Sequence, residues 1–247
     1  MVLLGRAPPG MMDHSTASGA DRFQWAGQIT NMDTTLRERY SRQILFAEIG
    51  EQGQERLCGS SVVIAGCGAL GTALANLLVR AGVGRLRIVD RDFVEASNLQ
   101  RQTLFEEEDA REALPKAVAA ERRLKAINAD VRVEGIVADL TPGNAEELLG
   151  GFPLLLDGTD NFETRLLLND YAVKHGTPWV YAAVVSSYGV TMTIRPDVTA
   201  CLACLMEAGD TNVTAEAERP EPTCDTVGVL GAAAGSSRTP SGAAAWG

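Results

Sequence analysis

Basic charge is the first thing this chain is short of. Its 247 residues carry 22 Lys and Arg against 32 Asp and Glu, a formal net charge of -10 with a pI near 4.8. Nucleic acids and anionic membranes both call for a basic face, so neither is expected as a partner, although local clusters such as Arg37, Arg39 and Arg42 survive the average. Long apolar runs are missing too. None approaches the length of a membrane span, and Val2-Leu3-Leu4 is too short for the core of a signal peptide. The cytosol is the expected compartment. Cysteine is scarce and odd in number: Cys58, Cys67, Cys201, Cys204 and Cys224. In a cytosolic chain such a set argues against a disulfide framework. Histidine is scarcer still, and His14 and His175 show no ligand spacing to Cys224. With 45% hydrophobic residues the chain can bury one sizeable core, and one main domain is expected.

What is present is concentrated between Gly66 and Gln102. Ser61 to Ala65 is short, apolar and rich in β-branched residues; GCGALG (Gly66 to Gly71) follows, and Leu70 to Ala81 has a helical pattern. Glycines on a strand-to-helix turn have mechanical reasons: Gly66 for the tight turn, Gly68 for close approach of backbone to a phosphate, Gly71 for close packing of helix on strand. The helix N-terminus then offers free N–H groups to an anion. Arg85 to Val89 reads as the next strand and Asp90 ends it, nineteen residues after Gly71, where such folds place a carboxylate on ribose hydroxyls. Ser97-Asn98-Leu99-Gln100-Arg101-Gln102 then brings an arginine to the same neighbourhood. The combination predicts nucleotide binding.

Elsewhere the pattern is mostly alternation of strand and helix. Residues 1–33 have no helical or strand period and read as a flexible extension; Met32 directly precedes the ordered pattern. Leu36 to Leu57 is helical, with breaks expected at Gly50 and Gly53. Arg42 lies there, on a face that periodicity alone describes as solvated and basic. Glu106 to Asp109 reads as an exposed turn, and Pro115 opens a helix running to Ile127. Lys116 falls in its first turn, where the helix dipole disfavours a cation; it either faces a phosphate or sits on a tolerant surface. Val131 to Val137 reads as a strand, Pro142 to Leu149 as a short helix, and Pro153 to Leu156 as a buried strand ending at Asp157-Gly158-Thr159-Asp160-Asn161. Carboxylates at that strand end could hold magnesium; alternatively Asp160 or Asn161 caps the helix from Phe162 to Lys174. Pro178 to Tyr181 and Ala183 to Arg195 complete the strands, interrupted near Ser186 to Gly189 as in a hairpin. The fold class expected is α/β, a Rossmann-like doubly wound and mostly parallel sheet with an N-terminal helical segment.

Cys58 and Cys67 are expected to be small structural residues. Cys201-Leu202-Ala203-Cys204 has the spacing of one half of a tetrahedral zinc site, of a redox pair, or of neither. Cys224 stands alone after a polar stretch; an accessible thiol there could attack an activated acyl group, whereas a buried one would be inert.

Taken in order, RYSRQILF, GCGALG, AGVGRLRIVDRDFVEASNLQRQTLF, the Pro115-Lys116 helix start, DGTDN, CLAC and TCDTVGVLG resemble the ThiF/MoeB/HesA group, from about Arg39 to Gly231. These are bacterial relatives of ubiquitin-activating enzymes. The resemblance implies an ATP-dependent adenylyltransferase that activates the C-terminal glycine of a ubiquitin-like sulfur carrier protein ending in Gly-Gly, in a thiamin, molybdopterin or related pathway. Carried over by residue, Gly66, Gly68 and Ala69 form the turn beside the phosphates and Asp90 binds the ribose. Ser97, Asn98, Leu99, Gln100, Arg101, Lys116 and Asn161 contact the nucleotide, and Asp160 coordinates magnesium. Arg42 resembles the arginine that reaches into the neighbouring subunit's site, which implies a homodimer. Cys201 and Cys204 match the first half of a four-cysteine zinc site, and Cys224 matches a cysteine that bonds to the carrier in some members.

The resemblance stops short of the family's length. No second CxxC follows, and the low-complexity residues 236–247 read as a disordered tail behind an adenylation domain at 34–235 that is C-terminally incomplete. Weak or absent zinc binding is therefore expected. A non-catalytic fragment that binds nucleotide or dimerises is the alternative reading. An NAD-dependent oxidoreductase is another, but it leaves Arg101, Lys116 and Asp160 without a task.

Overall fold

Successive residues of the first strand, β1 (Ser61–Ala65), turn to opposite sides of a sheet. Val62 and Ile64 enter one core while Val63 and Ala65 enter another. A strand buried on both faces needs helices on both faces, and the chain supplies them. The computed structural model describes residues 32–185 and 188–209. Three short helices come first: α1 (Thr34–Arg39), α2 (Ser41–Ile44) and α3 (Gly50–Gly59). After β1 come α4 (Ala69–Ala81), β2 (Arg85–Asp90), α5 (Glu107–Arg111), α6 (Lys116–Ile127), β3 (Arg132–Val137) and α7 (Ala145–Leu149). Then follow β4 (Leu155–Asp157), α8 (Phe162–His175), β5 (Trp179–Val185), β6 (Tyr188–Ile194) and α9 (Leu202–Gly209).

The sheet has six strands in the order β3-β2-β1-β4-β5-β6. The first five are parallel and β6 returns antiparallel on β5. One face carries Leu57 of α3, Leu74 and Leu78 of α4 and Leu124 of α6; the other carries Leu148 of α7 and Leu168 and Tyr171 of α8. Each such Leu removed from water is worth about 1.5–3 kcal/mol, so the two apolar layers account for why the strands lie flat between helices. The strand order reverses between β1 and β4. In an open α/β sheet the crevice at the carboxyl ends of those two strands is where ligands bind.

The doubly wound sheet expected from the sequence is the one observed. Some local expectations are corrected. Gly53 does not break a helix: α3 runs through it, and the interruption lies over 45–49, ahead of Gly50 with its φ of +60°. Glu106 to Asp109 is not a plain exposed turn. Asp109 is buried, its carboxylate accepting the Glu106 amide and pairing with Arg122, so the segment opens α5. Pro115 caps α6 from outside rather than filling its first turn. Residues 1–31, 186–187 and 210–247, and with them the tail, Cys224 and all but two residues of the expected N-terminal extension, lie outside the described residues; those two belong to the fold, Met32 buried with Tyr40 and Cys58 and Asp33 capping α1.

Candidate functional site

The glycine turn after β1 is shaped by a neighbour that is distant in sequence. Gly66 has a φ of +89°, and a Cβ there would lie 2.7 Å from the Gly158 carbonyl; one on Gly158 would lie 2.5 Å from the Gly66 oxygen. The loops after β1 and β4 therefore touch backbone to backbone at the point where the strand order reverses. A Cβ on Gly68 would meet only the Gly158 oxygen, at 3.7 Å, so its outer side is open. Gly68 is the N-cap of α4 and no side chain caps that helix. Its first amides are left for a ligand, as the turn predicts. Above the turn is a cleft of about 1250 Å³ lined by Gly66, Gly68, Ala69, Asp90, Arg101 and Lys116, among others.

The β2 wall of this cleft is a chain of hydrogen bonds. Asp90 Oδ2 accepts the Cys67 amide at 2.6 Å and Oδ1 accepts the Asp92 amide at 2.7 Å. Burial raises the Asp90 carboxyl above the ordinary carboxylate range, against the opposing pull of those two amides. Asp90 thus ties the glycine turn to the end of β2 and keeps its remaining lone pairs at the cleft. Lys116 is only 8% exposed, which removes the tolerant-surface reading. Its Nζ lies 3.0 Å from Asp92 Oδ2, and its backbone N–H donates to the Asp92 carbonyl at 2.8 Å.

The polar segment beyond divides by residue. Ser97, Asn98 and Arg101 line the cleft. Asn98 is buried, its Oδ1 accepting the Glu95 amide, and Arg101 is steadied by one donation from Nη1 to the Ser97 carbonyl at 2.9 Å. Leu99 packs on the core and Gln100 is exposed, and neither is part of the lining. Gln102 is, although no role was assigned to it from sequence. It is 4% exposed, and its Oε1 is buried with no hydrogen-bond partner. That unpartnered oxygen is an acceptor that a hydrogen-bond donor on a ligand could satisfy.

The β4 wall shows which of the two residues caps the helix. Asn161 is the N-cap of α8, its side chain accepting the Thr164 amide at 2.8 Å. Asp157 is fully buried and paired to Arg165 at 3.1 Å; burial pushes its carboxyl up while Arg165 and Thr159 pull it down. Asp160 remains: exposed, on the cleft, and without a hydrogen bond or ion pair to any described residue. Its free hard oxygens suit a magnesium ion. Arg101, Lys116, the helix amides and Gln102 likewise fit the anionic and polar parts of a nucleoside triphosphate.

Three other candidates lie elsewhere. Arg42, on α2, is exposed and is not part of the lining; Arg37 and Arg39 form ion pairs with Glu51 and Asp130, whereas Arg42 has none among the described residues. Cys201 and Cys204 face each other at the start of α9 with sulfurs 3.0 Å apart, and that hydrogen bond holds the Cys201 thiol below its ordinary value. Among the described residues no group of three His, Cys, Asp or Glu could hold a metal, so the two thiols supply half of a tetrahedral set. Cys58 and Cys67 are buried and free, and burial raises both thiols. Among the described residues no helix is long and apolar enough to cross a membrane.

Known proteins resemble this chain in sequence and in fold. Over 192 residues the chain is 53% identical to a Bacillus subtilis protein named sulfur carrier protein ThiS adenylyltransferase, covering 78% of this chain and 55% of that one. A Thermus thermophilus sulfur carrier protein adenylyltransferase is 44% identical over 173 residues, 68% of this chain and 63% of the relative. The chain therefore spans a little over half to under two thirds of the length of these relatives. Among solved structures, Escherichia coli MccB in complex with AMPCPP and MccA superposes with a TM-score of 0.71 at 25% identity, over 84% of this chain and 62% of that one. The sequence model of the ThiF family matches residues 40–237, and the chain belongs to that family.

Proposed function

We propose that this chain carries the adenylation site of an ATP-dependent adenylyltransferase that activates the C-terminal glycine of a ubiquitin-like sulfur carrier protein. The observation that carries the reading is the meeting of Arg101, Lys116 and an unpaired Asp160 around one cleft over the glycine turn. An NAD site would use the turn and Asp90 but would have no need of the other three. The names of the relatives support the carrier as substrate; whether it feeds thiamin, molybdopterin or a related pathway follows the pathway of the carrier itself.

The chemistry asks little of acid–base groups. A terminal carboxylate, with a pKa of about 3.5, is already ionised at neutral pH and needs no general base. One of its oxygens forms a bond to the α-phosphorus of ATP, the bond to the bridging oxygen breaks, and pyrophosphate leaves with that electron pair. The obstacle is repulsion between carboxylate and triphosphate. Lys116 and Arg101 offset it by concentrating positive charge where charge develops, and Asp90 orients the nucleotide through the ribose. Magnesium, held at Asp160 beside the Asn161 cap, would add Lewis-acid stabilisation of the phosphates. Ser97, Asn98 and the Gly66-Cys67-Gly68-Ala69 turn shape the phosphate site, and Gln102 supplies one further hydrogen bond.

Arg42 completes the site of a second copy, so the working unit is a homodimer, in the cytosol. Residues 34–235 form the adenylation domain. Cys224 would serve a later sulfur-transfer step through its thiol, and no step passes through zinc at Cys201 and Cys204. The test is exchange of labelled pyrophosphate into ATP. Exchange that requires both magnesium and a Gly-Gly carrier supports adenylation. Nucleotide binding without exchange favours a non-catalytic chain, and tighter binding of NADH than of ATP with magnesium contradicts the reading.

A further inference from the structure

The Asp160 carboxylate makes no hydrogen bond or ion pair with any described residue, so the backbone of its loop sets its position. Gly158 gives that loop one residue with no side chain to pack, and its amide is held to the Ala65 carbonyl at 2.7 Å. Past Gly158 the grip passes to one side chain. Arg165 donates from Nε to Asp157 Oδ2 at 3.1 Å and from Nη2 to the Thr159 carbonyl at 2.8 Å, with a longer bond to the Ala182 carbonyl at 3.4 Å. Asp157 Oδ1 closes the ring by accepting both the amide and the hydroxyl of Thr159. The guanidinium also sits against the rings of Phe162 and Tyr181.

We infer that Arg165 is a positioning residue for the Asp160 carboxylate: it clamps the residue before Asp160 to β4, to α8 and to β5 at once. The inference rests on the magnesium-ATP reading above. A buried ion pair is weak evidence for stability by itself, because desolvation cancels much of the attraction. What it does well is fix geometry, and a planar fork of donors can bind two acceptors in one orientation where an ammonium group cannot. Groups that orient a metal ligand from behind typically change metal affinity by about 10–100-fold when lost.

The experiment is calorimetric titration of ATP into the full chain at stepped magnesium concentrations and in chelator. It is run on the parent, on Arg165→Lys, and on the double variant Asp157→Asn with Arg165→Gln, which removes both buried charges together. The expected result is ATP affinity in chelator within about twofold of the parent, with the magnesium concentration for half-maximal tightening raised about tenfold or more. Unchanged magnesium dependence in either folded variant overturns the inference. So does an equal loss of affinity with and without magnesium, or failure of both variants to fold, since the arginine would then serve the fold alone. A parent that binds no ATP contradicts the proposed function itself and takes this inference with it.

Discussion

The two walls of the cleft hold their carboxylates in opposite ways. On the β2 side, Asp90 bonds two backbone amides and Asp92 pairs with the cleft lysine, so the acidic groups serve the cation. On the β4 side, the buried Asp157 is neutralised by Arg165, which itself lines the cleft, and Asp160 has no partner among the described residues. One wall therefore offers Lys116 and Arg101 to anionic oxygens, while the other offers negative charge to a cation. The triphosphate and magnesium proposed above would satisfy both. The contrast also separates what each wall does: the β4 wall depends on a buried ion pair for its shape, whereas the β2 wall keeps its charged groups, Lys116 among them, part of the cleft lining.

That contrast can be broken from either side. The largest effect is expected from Asp157→Ala, which leaves the Arg165 charge buried and unpaired and should cost about 3–5 kcal/mol of stability, read from urea unfolding. Lys116→Ala should leave the urea midpoint near that of the parent but lower carrier adenylation by about 10²–10³-fold, the loss seen when one electrostatic stabiliser of a transition state is removed. A Lys116 variant that unfolds, or an Asp157 variant that is stable but inactive, would reverse the division between the walls. Asn161→Ala removes the α8 cap and should cost about 1 kcal/mol. Thermal unfolding would detect it as a small drop in midpoint.

The smallest effect is in pH. Because burial raises the Asp90 carboxyl, the folded state binds this proton more tightly than the unfolded chain does. Its contribution to stability is therefore least favourable above the raised value and improves as pH falls from there toward the ordinary carboxylate range. Glu134, held low by hydrogen bonds from Arg85 and Arg87 against the cost of burial, contributes in the opposite sense and loses its benefit as pH falls. Comparing parent and Asp90→Asn by urea unfolding across the acid range isolates the first group. The difference should move in the parent's favour as pH falls, and a difference that moves the other way would mean that Asp90 is stabilised in its ionised form.

The sequence made the β2 wall easier to read than the β4 wall, for a physical reason. The Ser97 to Gln102 segment acts largely through neighbours a few residues away, Gly66 takes a positive φ that glycine adopts with ease, and Gly68 and Asp90 fall at the fixed spacing of a strand-turn-helix-strand unit. Period-two and helical patterns likewise expose the doubly wound sheet. Lys116 was legible as a misfit at a helix start, but Asp92, which holds it, lies 24 residues earlier across a loop. Arg165 looks like any charged residue in the first turn of a helix until the end of β4 and β5 are laid beside it. Gly158 was visible within DGTDN, yet only the contact with Gly66 shows why it has no side chain. Asp160 and Asn161 could not be told apart by spacing, because cap and ligand use the same oxygen chemistry; the hydrogen bond from Thr164 shows that Asn161 is the cap.

The most direct test of the account is intact-mass spectrometry of a Gly-Gly-ended sulfur carrier incubated with the chain, ATP and magnesium. The account predicts a mass gain of one AMP on the carrier that is lost with Arg101→Ala. A carrier that gains no mass, while the chain binds ATP with magnesium, would contradict it.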